Sequence, residues 1–446
     1  MMTYERMLLA ALAAGCATLA QAGVSEEEAK QVGTTLTPFG AEVAGNKDGS
    51  IPEYKGGLTT PPANYVKGSN IRPDPFPNEK PLFSITAANM DKYGDKLSNG
   101  VKAMLKKTPS FRIDVYPTHR TVAYPETMLD NSIKNATRCK TAENGLALIP
   151  ACRGGTPFPI PKTGQEVMWN LITQYVGNTE FRAKTNYVDA SGRVVQTADF
   201  NGYKEQSFYN ANTADPKVLS YNRGDQLASR NAGNASFLID YIDPVDMPKK
   251  AYSYSPGQRR VRLAPDFAYD TPSDSSGGVQ LYDEINMFSG KMDRFDFKLV
   301  GKREIFMPYN NYKLATGKLA DILKPGNINP DMNRWELHRV WVVEATLKPG
   351  SRHVYSKRIF YVDEDLAGAM SENYDAAGKL WRVVMSHPIM AYDVPAPIAQ
   401  VVAHMDLVSG IYVLISHTGE DGGVKFVRPK PASFWTQSGL SATSVR

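Results

Sequence analysis

Cysteine and histidine are scarce, with three and six residues in a chain of 446. Beyond the first 22 residues no apolar run approaches the roughly 20 residues that a membrane-spanning helix needs. These shortages argue against a disulfide-dense scaffold and against a bundle of membrane helices. Blocks of like charge are missing as well. The net charge of +5 is spread along the chain, so no nucleic-acid partner is expected, and at most a mild attraction to anionic membrane surfaces. No H-E-x-x-H, G-x-S-x-G, P-loop or G-x-G-x-x-G pattern occurs, which removes the common signatures of metal hydrolases, serine hydrolases and nucleotide binding. From sequence, no catalytic residue, metal or cofactor is assigned.

What is present begins with an export signal. Arg6 precedes an apolar run from Met7 to Ala20, and Ala20-Gln21-Ala22 supplies a small-residue cleavage site. Residues 1–22 therefore read as a cleavable signal peptide and the remainder as a soluble, exported, periplasmic protein. The competing reading is a lipoprotein anchored through Cys16, since Ala13-Ala14-Gly15-Cys16 offers an acylation site. Cleavage after Ala22 would leave Cys139 and Cys152, an even count suited to one disulfide closing a small loop in an oxidising compartment. The alternative is two unpaired thiols; further Cys or His for a zinc site is lacking nearby.

With 42% hydrophobic and 22% charged residues the chain is globular in composition, and no linker cuts it cleanly. Residues 23–83 are rich in Gly and Pro and read as a loop-rich segment packing on the rest, 84–446. A helix is expected over Ser84 to Lys107 with Ser84 as its cap, a second over Glu126 to Thr137, and a third over Gln165 to Tyr175.

The remaining chain reads largely as strands. In Trp335 to Lys348, Trp335, Leu337, Trp341, Val343, Ala345 and Leu347 share one face with Arg339, while Glu336, His338 and Glu344 lie on the other. Pro349-Gly350 turns the chain towards an antiparallel partner over Val354 to Val362. Phe295, Phe297 and Leu299 alternate in the same way. Asn186 to Arg193 and Asn373 to Lys379 resemble one another as hairpin turns, each with a glycine where positive φ is needed.

Several segments carry a family resemblance: LTPFGAEVAGNKDGSIPEYKGGL from Leu36, PFPIPKTGQEVMWN from Pro157, YSPGQRRVRLAP from Tyr254, KLVGKREIFMPYN from Lys298, and ELHRVWVVEATLKPGSRHVYSKRIFYVDED from Glu336. Together they span most of the chain, which resembles a family of Gram-negative exported proteins, domain of unknown function thirteen twenty-nine. One departure is Tyr54, where Trp is commoner in the family. The resemblance implies an α+β, sheet-dominated fold like that of the lipoprotein carrier LolA, an incomplete antiparallel β-barrel with helices on its concave face around a hydrophobic cavity. It also implies association with inner-membrane exporters of the resistance-nodulation-division class and with outer-membrane proteins.

One-sided strands with a few amphipathic helices agree with a curved sheet of this kind. A half-open barrel leaves room for an apolar ligand, with Trp335, Leu337, Trp341, Val343, Phe295 and Phe297 as candidate lining; dry faces of this kind are otherwise ordinary core. Arg259, Arg260 and Arg262 are head-group candidates, or else pair with acids across a hairpin. Asn46 to Ile51 resembles part of a calcium loop, but Ala44 and Lys55 stand where carboxylates are required, so a turn is expected. Asp363, Glu364 and Asp365 read as a solvated acidic strand end. The functional expectation is a carrier of a lipid or other hydrophobic molecule. The alternatives are an enzyme such as a hydrolase acting on a hydrophobic substrate, and a structural adaptor of an envelope complex.

Overall fold

The structure, a computed structural model, describes residues 24–228, 232–264, 269–399 and 401–443. The expected export signal at 1–22 and Cys16 lie outside the described residues.

Sixteen strands join in one sheet. Its first half comprises β1 (Phe83–Ile85), β2 (Ile113–Val115), β3 (Thr179–Val188), β4 (Val194–Glu205), β5 (Val218–Gln226), β6 (Ala235–Tyr241), β7 (Lys250–Ser255) and β8 (Arg260–Leu263). The second comprises β9 (Phe295–Pro308), β10 (Arg334–Leu347), β11 (Lys357–Asp363), β12 (Ala369–Tyr374), β13 (Leu380–Ser386), β14 (Val402–Asp406), β15 (Tyr412–His417) and β16 (Val424–Phe426). Two antiparallel meanders, β9 to β15 and β3 to β8, are joined where β15 pairs with β3, Tyr412 opposite Val188. Among the described residues β8 and β9 each have one strand partner, so the sheet is a long ribbon that does not close. The fold is thus sheet-dominated α+β with an incomplete barrel, as expected.

The period-two reading of Trp335 to Lys348 corresponds to β10, and its antiparallel partner is β11, with Val343 opposite Phe360. One expectation about β10 fails. Its polar face is not wet: Glu336 and His338 are 0% and 1% exposed. Tyr309 and Asn310 after β9 and His119 after β2 cover this face, stacking on His338 and donating to Glu336, while Arg339 on the other face donates to the Ala44 carbonyl of the N-terminal segment. Phe39 of that segment packs edge-on against Tyr54 and Tyr124, and Arg72 pairs with Asp393. The calcium-like stretch is a closed turn, in which the Asn46 amide donates to the Ile51 carbonyl.

Three helices matter for the site: α1 (Asn99–Lys107), α2 (Glu126–Arg138) and α3 (Gly164–Ile172). The expected helix from Ser84 is broken instead. Ser84 lies in β1, a 3₁₀ turn occupies Met90–Lys96, and α1 starts only after Ser98, whose hydroxyl accepts from the Val101 amide. Gly94 and the extended Leu97 interrupt the periodicity that joined these pieces on paper. A Thr163–Glu166 capping box starts α3, which lies so close to β9 that a Cβ on Gly164 would sit 2.6 Å from the Phe297 carbonyl oxygen. Meanwhile α1 packs on β12 and β13, with Gly100 against Val383. Val383 and the face of Phe297, Val343 and Phe360 are on opposite sides of the sheet, so helices cover both faces.

A disulfide joins Cys139 to Cys152, tying the end of α2 to a following turn. The outer side of β4 to β7 carries Tyr203, Tyr221, Phe237 and Tyr252. Trp435 stacks on Tyr221 at 5.2 Å between ring centroids, and α4 (Gln437–Thr443) places buried Leu440 on the same patch.

Candidate ligand-binding site

Consecutive strands β4 to β8 end side by side, and their ends build the wall of a hollow of about 460 Å³. That is within the ~300–1,000 Å³ typical of small-molecule sites. From the sheet come Leu219, Tyr241, Ala251 and Leu263; α3 adds Trp169 and Ile172. The roof is the segment 269–291, through Tyr269, Phe288 and its neighbours. This segment belongs to the connection between the edge strands β8 and β9, and its middle is fastened to the central strands β11, β12 and β14 through Arg358, Asn373 and His404.

The polar lining is unbalanced. Lys204, Lys249, Lys250 and Lys291 face the hollow, against a single carboxylate, Asp240. Lys249 Nζ lies 3.2 Å from Asp240 Oδ1 and also donates to the Ser289 carbonyl and hydroxyl. The other Asp240 oxygen accepts from Ser220 and Asn222, at 3.2 Å each. Lys204 is half-buried, and desolvation, partly offset by Asp240, lowers its pKa to about 8.

The roof is anchored by charge. Asp283 accepts from Arg358 Nη1 at 2.7 Å and lies 3.1 Å from His353 Nε2. Tyr355 donates to Glu284, and His404 Nδ1 is 3.6 Å from the same carboxylate. Burial opposes the charge of Asp283, but Arg358 and His353 outweigh it and hold the acid below its ordinary value. Burial, reinforced by Asp283, raises Glu284. Burial, helped by Arg382 and Arg358, lowers His404 to about 3.

A second enclosed network surrounds β10. His338 Nε2 is 3.1 Å from Glu336 Oε2, Tyr309 donates to Asp363, and the Tyr309 and His338 rings stack at 3.7 Å. Asp363, Glu364 and Asp365 are 0%, 3% and 1% exposed, which overturns the solvated turn expected for them. Their counter-charges come from far away in sequence: Arg120 grips Asp365 with Nε and Nη2 at 2.9 and 2.7 Å, and Arg339 and Lys302 hold Glu364. Burial and the neighbouring Asp365 raise Asp363 to about 7. His338, Asp363 and Asp365 stand close enough to share an ion. However, Asp365 is already committed to Arg120 and His338 to Glu336, so the arrangement is that of an internal ion network.

The candidate lining named from sequence is placed elsewhere. Trp335, Leu337, Val343, Phe295 and Phe297 are buried in the main core, and Trp341 is half-buried under Lys302, whose Nζ is 4.7 Å from its ring. None is among the residues bounding the hollow; the link is Phe288, which bounds it and touches Phe297 with centroids 5.9 Å apart. Arg259, Arg260 and Arg262 are exposed at the β7–β8 hairpin, away from the hollow. In register Arg260 faces Ser255 and Arg262 faces Ser253, not acids. The lining that sequence reasoning missed, Leu219, Tyr241 and Ala251, lies at strand ends, and Phe288 lies in a loop without periodicity.

An open antiparallel ribbon with a roofed, largely apolar hollow at the ends of its strands is the architecture of a sheet built around space. The chain belongs to the DUF1329 family, described as a protein of unknown function, whose model matches residues 84–441. An uncharacterised protein of Pseudomonas aeruginosa is 42% identical over 413 residues, covering 91% of this chain and 90% of that one. Among solved structures, the chain is similar to a DUF1329 family protein from Desulfovibrio piger at TM-score 0.42 and 14% identity, covering 62% of this chain and 97% of that one. It is also similar to a putative outer membrane lipoprotein-sorting protein domain from Vibrio parahaemolyticus, at TM-score 0.43 and 12% identity, covering 62% and 97%. A LolA superfamily protein from Nitrosomonas europaea matches at TM-score 0.37 and 10% identity, covering 63% and 100%.

Proposed function

We propose that the protein is a periplasmic carrier that shields a lipid or other hydrophobic molecule in the hollow between β4–β8, α3 and segment 269–291. The observation that carries this reading is the hollow itself: roomy, apolar along most of its wall, and bounded by no histidine. Covering about 300 Å² of apolar ligand surface would contribute about 7 kcal/mol before ordering costs, enough for reversible binding without catalytic groups. The export signal expected over residues 1–22 supports the compartment, and no described helix is long and apolar enough to cross a membrane. Work alongside an inner-membrane exporter of the resistance-nodulation-division class and an outer-membrane protein is the partnership that the family resemblance favours.

No observation favours the hydrolase or adaptor alternatives to the same degree. The His and carboxylate pairs His338 with Glu336 and His353 with Asp283 are sealed inside the fold, and the part-exposed pair of His119 with Glu79, at 2.7 Å, does not bound the hollow. The test is to purify the protein from the periplasm, then apply native mass spectrometry and solvent extraction. The expected result is a hydrophobic molecule bound one to one. A chain that carries nothing and fails to take up a neutral hydrophobic dye overturns the reading.

A further inference from the structure

We propose that the ligand is an amphiphile with one anionic head group, and that Lys204 is the residue that binds the head. This rests on the carrier reading above and adds to it the chemistry of the cargo.

Three observations converge on Lys204. First, the hollow holds four lysines and one aspartate, and that aspartate is already taken up by Lys249, Ser220 and Asn222. Among the described residues no carboxylate pairs directly with the Lys204 ammonium, although its side chain is half-buried at the inner end of the hollow. A cation in that position is costly unless an anion arrives to match it. A ligand carboxylate or phosphate would supply the missing charge.

Second, Lys204 stands at a junction. With Ile172 and Asn286 it bounds both the large hollow and a small adjoining space of about 40 Å³. The small space is lined partly by polar groups, among them Gln174, Thr179 and Ser386. At roughly 10–15 Å³ of such volume per water it holds a few waters and no alkyl chain. The orientation is then fixed: the apolar body lies in the large hollow against Leu219, Tyr241 and Phe288, and the head meets Lys204 at the neck, beside room for its hydration.

Third, the remaining lysines suit an approach from outside. Lys250 is exposed and Lys249 and Lys291 are partly so, all at the boundary of the same hollow. They favour entry of an anion over a cation, while Lys204 alone of the four also bounds the small inner space.

The experiment uses the full mature chain and displacement of a neutral fluorescent dye, N-phenyl-1-naphthylamine. Competitors of one chain length are dodecanoate, dodecyl phosphate and dodecanol. In the wild type the two anions should compete roughly tenfold or more better than the alcohol, the gain of a charge-assisted contact. Lys204→Met should abolish that preference while dodecanol and the dye bind as before, which also shows that the variant is folded. A preference kept by the phosphate alone, or by the carboxylate alone, identifies the head. Equal competition by all three against the wild type, or a preference that survives in Lys204→Met, overturns the assignment and leaves the carrier reading standing. If neither dye nor competitor binds the wild type, the carrier reading falls and this one with it. Lys250→Met serves as the control at the rim, and its anion preference should persist.

Discussion

Arg358 and Asp283 meet at 2.7 Å with side chains 0% and 4% exposed, although 75 residues separate them. The pair fastens the middle of the 269–291 roof to the centre of the sheet, where Arg358 of β11 also donates to Asn373 of β12. A pair sealed in this way holds position more than it adds net stability, because desolvation consumes much of the attraction.

Breaking the pair on one side should therefore cost far more than deleting it. Asp283→Ala is expected to destabilise by about 3 kcal/mol, since it leaves buried Arg358 with only Glu284, 3.9 Å away, as counter-charge. In the double variant Asp283→Leu with Arg358→Met a large part of that loss should return. Urea unfolding of the single and double variants checks this; additive losses would contradict it.

Acid should weaken the fold through buried histidines. Burial holds His387 at about 3, and burial with Arg382 and Arg358 does the same for His404, against an ordinary value of 6.5. Between these values the unfolded chain binds more protons, so their contribution is complete above about pH 6.5 and disappears as pH falls towards 3. Asp363 works in the opposite sense: raised to about 7 from 3.8, it costs stability as pH rises through that interval. His387→Leu should flatten the acid limb by about 1.4 kcal/mol per pH unit within the window. An unchanged limb in that variant would show that His387 is not held neutral.

Reducing the Cys139–Cys152 bond opens a loop with a sequence separation of 13. The expected loss is about 3 kcal/mol from chain entropy. Thermal melts of Cys139→Ser with Cys152→Ser beside the oxidised protein measure it, and no change in midpoint would exclude the role.

Filling the hollow should remove binding without unfolding the chain. Ala251→Phe projects a ring into the space that the carrier reading assigns to cargo. Dye uptake should fall at least tenfold with a melting temperature within a few degrees of the wild type. Leu263→Trp, at an exposed position on the boundary, should instead report cargo by a blue shift of its emission. Full dye uptake by Ala251→Phe would place the cargo elsewhere.

The sheet was legible where side chains alternate strictly. The β10–β11 hairpin and the turns with Gly192 and Gly378 at φ of 88° and 75° arise from local pattern alone. The disulfide was legible from the even cysteine count that remains beyond residue 22. Long-range burial was not legible: nothing near Asp363 announces that Arg120 will reach Asp365, or that Tyr309 will cover His338. The hollow escaped for a related reason. The driest strand face, with Trp335, Val343 and Phe297, is dry because other side chains fill it. Space survives instead at the strand ends, where Leu219, Ala251 and the non-periodic Phe288 meet only in three dimensions.

The Trp435–Tyr221 stack bears on what a shortened chain would do. Lacking its final dozen or so described residues, the protein would offer a ladder of naked rings, Tyr203, Tyr221, Phe237 and Tyr252, to any chaperone or neighbouring copy. That tail acts as a cork on a sticky outer wall, and clipping it should register as precipitation while the hollow on the other side keeps its shape.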